Sequence, residues 1–166
     1  MFKRSSVVVI SALLVLTACS SATDEAAPTE SAVAGVVSAQ VSGDYGTQPV
    51  VEITPGSPAT ELEVTDVIVG SGDAVPAGAT VTADYVGYGA ATGEMFDASW
   101  VRGEPATFPL ANVILGWQEG LVGMQVGGRR LLVIPAELGY GDNPPQGSGI
   151  EAGETLIFVV DLVSFE

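Results

Sequence analysis

The sequence predicts an α+β domain in which an antiparallel sheet of five or six strands curls over one short helix. Short segments rich in β-branched and aromatic residues recur from residue 50 to residue 165. Most turns between these segments are too short for a crossover helix, which favours antiparallel pairing. A helical period appears at residues 113–124. The chain has a single cysteine, so the domain must fold on its apolar core without an internal disulfide.

The candidate strand segments follow one another from residue 50 onward. In chain order they are 50–53, 61–69, 79–88, 94–97, 107–110, 129–135 and 154–165. The third is the clearest, because Val81, Ala83 and Tyr85 alternate with polar residues and therefore share one face. A long loop at 136–153, rich in Gly, Pro and Asn, precedes the last segment.

One helix is predicted at residues 113–124, with Asn112 as its N-cap. Its apolar side chains recur at helical spacing and form one stripe: Val113, Trp117, Leu121 and Met124. Three glycines form a second stripe without side chains: Gly116, Gly120 and Gly123. A glycine costs a helix interior about 1 kcal/mol relative to alanine, so three of them need a geometric reason. We expect the helix to lie hard against the sheet, with Trp117 as core alone or as the floor of a pocket.

The first residues have the features of a bacterial export signal. Lys3 and Arg4 precede an apolar run at 7–16 that is too short to span a bilayer, and small residues follow. The run ends in Leu16-Thr17-Ala18-Cys19, which resembles the lipobox of bacterial lipoproteins. That resemblance implies a signal peptide at 1–18, lipidation of Cys19, and an extracytoplasmic protein anchored to the cell membrane. The alternative is an ordinary signal peptide with an incidental cysteine.

Residues 19–48 are predicted to form a disordered tether, and the folded domain is predicted to span residues 49–166. The tether segment consists mainly of Ala, Ser, Thr, Val and Gly with scattered acids, and no helical or strand period persists along it. We expect at most transient local structure at residues 33–41.

The chain is strongly acidic, with five basic and twenty acidic residues and a net charge of −15. Removal of the signal peptide takes Lys3 and Arg4 away, and the three remaining arginines face all twenty acids, for a net charge of −17. Such a chain is repelled by nucleic acids and by anionic lipid, so membrane attachment must come from acyl chains. We attribute the acidity to solubility.

Several kinds of catalytic site are excluded by composition. The chain has no histidine and no second cysteine, which rules out His-based triads, thiol redox chemistry and Cys/His zinc sites. Neither a phosphate-binding loop nor a dinucleotide-binding motif occurs, and no cofactor or metal is expected. Glu61 and Glu63 share a strand face and are interpreted as solvated surface charge.

The remaining distinctive residues are aromatic and lie within six blocks. The blocks begin at Val81-Thr82-Ala83-Asp84-Tyr85, Phe96-Asp97-Ala98-Ser99, Val113-Ile114-Leu115-Gly116-Trp117, Gly128-Arg129-Arg130-Leu131, Ile134-Pro135-Ala136-Glu137-Leu138-Gly139-Tyr140 and Thr155-Leu156-Ile157-Phe158. In this order over residues 49–166 they resemble an FKBP-type peptidyl-prolyl cis-trans isomerase. The resemblance implies an antiparallel half-barrel wrapped around one helix, with an apolar pocket between them.

The resemblance also assigns roles to individual residues. Trp117 would form the pocket floor, Tyr140 would donate its hydroxyl to a substrate carbonyl, and Asp97 would be the charged group at the rim, held by Tyr85 and Arg102. The substrate-binding residues would be Tyr85, Phe96, Val113, Ile114, Ile150 and Phe158. The loop around Ile150 departs from the family pattern, since Ile150-Glu151-Ala152-Gly153 stands where members commonly have Ile-Pro-Pro.

The resemblance predicts an enzyme that isomerises Xaa-Pro bonds in secreted or envelope proteins. Its partners would be proline-containing polypeptides and macrolide inhibitors, and the protein would act as a monomer. The alternative is a binding module that uses the same pocket to hold proline-containing segments, as a chaperone does, without catalysing their isomerisation.

Overall fold

The computed structural model describes residues 35–166, which fold into two antiparallel sheets and two short α-helices. The elements are β1 (Ser38–Ser42), β2 (Val50–Thr54), β3 (Glu63–Ile68), β4 (Thr80–Gly89), β5 (Met95–Ala98), α1 (Ser99–Arg102), β6 (Ala106–Pro109), α2 (Leu115–Gly120), β7 (Arg129–Ile134) and β8 (Leu156–Phe165). Short 3₁₀ turns lie at Leu110–Asn112 and Ala136–Leu138. The predicted signal peptide and Cys19 lie outside the described residues. No helix of the described part is long and apolar enough to cross a membrane.

The main sheet has six strands and confirms the predicted α+β arrangement. Its order is β3-β7-β8-β4-β5, and all of its pairings are antiparallel. Strand β4 is central, because β8 pairs along one edge while β6 and β5 share the other. Each of the seven predicted segments corresponds to a strand whose ends lie within two residues of the prediction.

Two apolar cores lie on opposite faces of this sheet. Strand β8 contributes Leu156, Phe158, Val160 and Leu162 to the core that contains α2, and Ile157 and Val159 to the other. We call these the inner and the outer face. Because strand side chains alternate between faces, a strand buried on both sides reads as a continuous apolar run. This explains why all six residues of β7 are buried.

The predicted domain boundary at residue 49 is wrong. Strands β1 and β2 pair antiparallel as a hairpin, and Val37, just before β1, is only 3% exposed. Ala39, Val41, Val51 and Ile53 of the hairpin pack against the outer core. The part of the predicted tether at residues 35–48 is therefore folded, because it supplies the cover that the outer face of the sheet needs.

A buried ion pair holds the turn of this hairpin. Arg129, at 0% exposure, donates to both carboxylate oxygens of Asp161 at 2.6 and 2.8 Å. The same guanidinium donates to the carbonyls of Gly43 and Thr47 at 2.9 and 2.6 Å, while the Gly46 N–H donates to Asp161 at 2.7 Å. A buried ion pair is tolerated when its remaining hydrogen-bonding groups are satisfied. Here the hairpin turn supplies the partners.

Helix α2 is shorter than predicted and begins without a side-chain cap. It spans Leu115–Gly120, its N-cap position is Ile114, and Asn112 lies in the preceding 3₁₀ turn, so the capping role predicted for Asn112 is wrong. The close approach to the sheet is present. A Cβ at Gly116 would overlap the side chain of Ile134, and one at Gly120 would lie 2.7 Å from Leu132.

The C-terminal end of α2 is held by an arginine side chain of strand β7. Arg130 donates to the carbonyls of Gly120 and Val122 at 2.8 and 3.3 Å. The same guanidinium contacts Asp66 of β3 through two bonds of 2.7 and 3.0 Å. A cation at the C-terminal carbonyls of a helix is favourable, because those carbonyls have no intrahelical partner.

We predict that the chain beginning at residue 49 is less stable than the chain beginning at residue 35. Without residues 35–48 the outer core loses Val37, Ala39 and Val41, and Arg129 loses two carbonyl acceptors. The loss of unfolding free energy should be on the order of 3 kcal/mol or more. Urea unfolding of the two purified chains measures it, and identical midpoints and slopes would contradict the role given to the hairpin.

Candidate active site

A cavity of about 300 Å³ opens on the inner face, between the sheet and the start of α2. Its lining is aromatic and aliphatic, with one charged side chain. The lining residues are Tyr85, Phe96, Asp97, Phe108, Asn112, Val113, Ile114, Trp117, Tyr140 and Phe158.

Trp117 forms the floor of this cavity and is held by the edges and faces of neighbouring rings. Its ring centroid lies 5.3 Å from Phe158, 5.4 Å from Tyr85 and 5.5 Å from Phe108, with interplanar angles of 79° to 87°. These are edge-to-face contacts, each of which stabilises an aromatic pair by about 0.5–1.5 kcal/mol beyond its buried area. The indole is only 4% exposed, so its orientation is fixed before any ligand arrives.

A glycine in β4 allows two of the wall residues to approach the strand. A Cβ at Gly87 would lie 2.6 Å from Phe96 and 2.7 Å from Phe158. The pairing of β4 with β5 is irregular between Gly87 and Tyr88. Phe96 and Phe158 meet edge-to-face above this glycine, at 5.5 Å between centroids. Any larger residue at position 87 would push these walls into the cavity.

The polar rim of the cavity is a triangle of Asp97, Tyr85 and Arg102. The Tyr85 hydroxyl donates to Asp97, Arg102 donates to the other Asp97 oxygen at 2.6 Å, and a second Arg102 nitrogen lies 2.8 Å from the Tyr85 oxygen. Burial opposes ionisation of Asp97, but the bonds from Tyr85 and Arg102 outweigh it and hold its pKa below the usual range. Burial and the bond to Asp97 raise the pKa of Tyr85 to about 12.

Tyr140 lies across the cavity on the loop that follows the second 3₁₀ turn. Burial raises the pKa of its hydroxyl, and the negative charge of Asp97 raises it further. The phenol therefore stays protonated at neutral pH and is available as a hydrogen-bond donor. No group of three His, Cys, Asp or Glu side chains within residues 35–166 could hold a metal ion.

The structure gathers most of the candidate residues around one cavity. Eight of them line it: Asp97, Tyr140, Trp117, Tyr85, Phe96, Val113, Ile114 and Phe158. Arg102 does not line it but contacts Asp97 and Tyr85. Cys19 lies outside the described residues.

Ile150 is not among the lining residues, and its assignment as a substrate-binding residue stays a prediction. Its side chain is half-buried and packs against the inner core, and its N–H donates to the Ser148 hydroxyl at 3.2 Å.

Sequence reasoning missed two lining residues, Phe108 and Asn112. The alternation in Ala106–Pro109, in which Ala106 and Phe108 are half-buried and their neighbours exposed, would have placed Phe108 on the inner face. No alternation pattern pointed to Asn112, which was predicted to be the helix N-cap instead.

Comparison with known proteins identifies this arrangement. Residues 72–163 match the FKBP_C family, described as FKBP-type peptidyl-prolyl cis-trans isomerase. The chain belongs to this family. It is 50% identical over 119 residues to an FK506-binding protein of Streptomyces anulatus, which covers 70% of this chain and 96% of that protein.

Two further similarities agree with this family. A probable FK506-binding protein of Corynebacterium glutamicum is 48% identical over 118 residues, covering 70% of this chain and 98% of that protein. The crystal structure of FkpA from Escherichia coli superposes with a TM-score of 0.59 at 42% identity, covering 64% of this chain and 49% of that one. The protein is therefore a peptidyl-prolyl cis-trans isomerase of the FKBP type.

We predict that kcat/KM of this isomerase is flat between about pH 5 and pH 8. The lowered pKa of Asp97 means that the rim triangle is fully formed above the unfolded-state value of about 3.9 and is lost only as pH falls through the lower folded value. Tyr85 and Tyr140 have raised pKa values, and the chain has no histidine. Initial rates with an uncharged peptide measure this profile, and an inflection between pH 5 and pH 8 would contradict it.

Proposed function

We propose that the cavity over Trp117 is the site where the isomerase rotates Xaa-Pro bonds of secreted or envelope proteins. The observation that carries this proposal is the indole itself, fixed by three rings beneath an open apolar cavity of about 300 Å³. Proline is the apolar ring that such a floor accommodates, and the cavity walls leave room for the residue before it.

The chemistry required of the site is modest. Amide resonance opposes rotation with a barrier of about 18–20 kcal/mol, and uncatalysed exchange takes tens to hundreds of seconds. In the twisted state the conjugation is lost and the carbonyl is less polar. An apolar cavity therefore favours the twisted amide over the planar one, which is differential binding of the transition state.

Each polar residue of the site has a role in this proposal. The proline ring packs on Trp117, and the Tyr140 hydroxyl donates to a substrate carbonyl, with the Ile114 N–H as a second donor. Asp97 faces the twisted amide as an oriented charge that Tyr85 and Arg102 keep ionised. No step transfers a proton or forms a covalent bond, so the site needs no nucleophile and no general base.

We predict that Trp117→Leu lowers kcat/KM at least tenfold, because the flat floor and its ring contacts are lost. The chain offers a matched control in its other tryptophan. Trp100 packs against the outer core, so Trp100→Leu should leave the rate unchanged. Cis-to-trans relaxation of a short Xaa-Pro peptide measures both, with circular dichroism to show that each variant is folded. Equal rates for the two variants would move the site elsewhere.

The same assay separates the enzyme from the binding module. If the pocket only holds proline-containing segments, the wild-type chain will bind the peptide without accelerating its relaxation. Peptide titration by tryptophan fluorescence, run beside the rate measurement with the Trp100→Leu variant so that only Trp117 contributes, reports binding and catalysis independently. The same titration with a macrolide tests inhibitor binding, and light scattering tests the monomeric state.

We further propose that the protein is anchored outside the bacterial cell membrane through lipidated Cys19. The basic start, the short apolar run and Leu16-Thr17-Ala18-Cys19 support this proposal. Intact mass of the membrane fraction should show a chain that begins at Cys19 and carries acyl groups, while Cys19→Ser should lose the added mass and leave the membrane. Wild-type protein without the added mass would contradict the anchor.

A further inference from the structure

The surface charge of the domain is almost wholly negative. Residues 35–166 contain seventeen acidic residues against three arginines, and they have no lysine and no histidine. Each of the three arginines is bound to an aspartate: Arg102 to Asp97, Arg129 to Asp161 and Arg130 to Asp66. Within the described residues, fourteen carboxyl groups are therefore left with no arginine partner.

Exposed acids lie close in sequence to several of the segments that line the cavity or carry its rim. They precede β5, follow α1, belong to α2, and flank Tyr140 on both sides along the chain. These residues are Glu94, Glu104, Glu119, Glu137 and Asp142. The one charged side chain in the lining is Asp97, and its negative charge reaches Tyr140 on the facing loop. The cavity thus has apolar walls, a rim at which Asp97 is paired with Arg102, and unpaired acids in the neighbouring segments.

A low-dielectric cleft framed by charges of one sign concentrates ligands of the opposite sign. We propose that this isomerase selects proline segments flanked by lysine or arginine. The inference rests on the proposed function of the cavity and adds the class of polypeptide that enters it. The apolar floor accepts the proline ring, and the acidic surroundings attract the cationic flanks and repel acidic ones.

Three peptides with one Xaa-Pro core test the proposal, with paired Lys, Gln or Glu residues on both flanks. At an ionic strength of about 20 mM, kcat/KM should be at least about fivefold higher for the Lys peptide than for the Glu peptide. The ratio should approach one near 1 M salt, where the screening length falls to about 3 Å. A ratio of one at low salt, or a ratio that salt leaves unchanged, would overturn the proposal.

Charge variants test whether the acids around the cavity are responsible. Glu137→Gln with Asp142→Asn removes the two acids that flank Tyr140, and the Lys-to-Glu ratio should fall about twofold. The matched control is Glu52→Gln with Glu61→Gln, which removes two exposed acids from segments that contribute nothing to the lining, and its ratio should stay unchanged. Equal changes in both variants would overturn the assignment to the cavity.

The Gln peptide keeps this test separate from the proposed function. Its relaxation should be accelerated equally by the wild-type chain and by both double variants, at low and at high salt. Absence of acceleration for the Gln peptide would reject catalysis in the cavity. Acceleration without charge discrimination would reject only the selection of cationic segments.

Discussion

The cavity over Trp117 depends on how closely α2 can lie to β7. Gly116 and Gly120 face Ile134 and Leu132, and neither position has space for a Cβ. Two glycines in a six-residue helix lower its intrinsic stability, so tertiary contacts must hold it in place. Packing against β7 and the contact of Arg130 with the last carbonyls supply them. Trp117 therefore meets the rings of β4, β6 and β8 at contact distance, and a cavity remains beside the indole.

The second requirement of the fold is a cover for the outer face of the sheet. Strands β7 and β8 are buried on both faces, so the outer face must be covered as fully as the inner one. The hairpin of β1 and β2 covers it, and the Arg129–Asp161 pair fastens the hairpin turn. Since the same strands carry Phe158 inward and Ile157 outward, the hairpin and the cavity are built on one set of strands.

Local sequence patterns predicted much of this arrangement. They failed where a segment is held by a residue that lies far away in the sequence. Strand positions, the glycine contact and eight lining residues followed from alternation, helical spacing and the family blocks. The hairpin was missed because Ser38–Ser42 is small and polar and the turn that follows it is held by Arg129, more than 80 positions away. The loop at 136–153 gave no such signal either, since the path of a long loop is set by its own turns, here the bond from the Ile150 N–H to Ser148.

Two electrostatic features of the domain act over different distances: the charge of Asp97 at the rim and the exposed acids around it. At the rim, Tyr85 and Arg102 hold Asp97 in its ionised form through direct hydrogen bonds, so one oriented charge faces the cavity. Around the rim, exposed acids create a field that salt screens over about 10 Å at 0.1 M. In the proposed mechanism, rotation of a proline bond needs only the charge at the rim, because the twisted amide is stabilised by apolar contact and short hydrogen bonds. The exposed acids around the rim cannot lower that barrier, but they change which polypeptide segments reach the cavity. The rate of isomerisation and the choice of substrate can therefore vary independently on this fold.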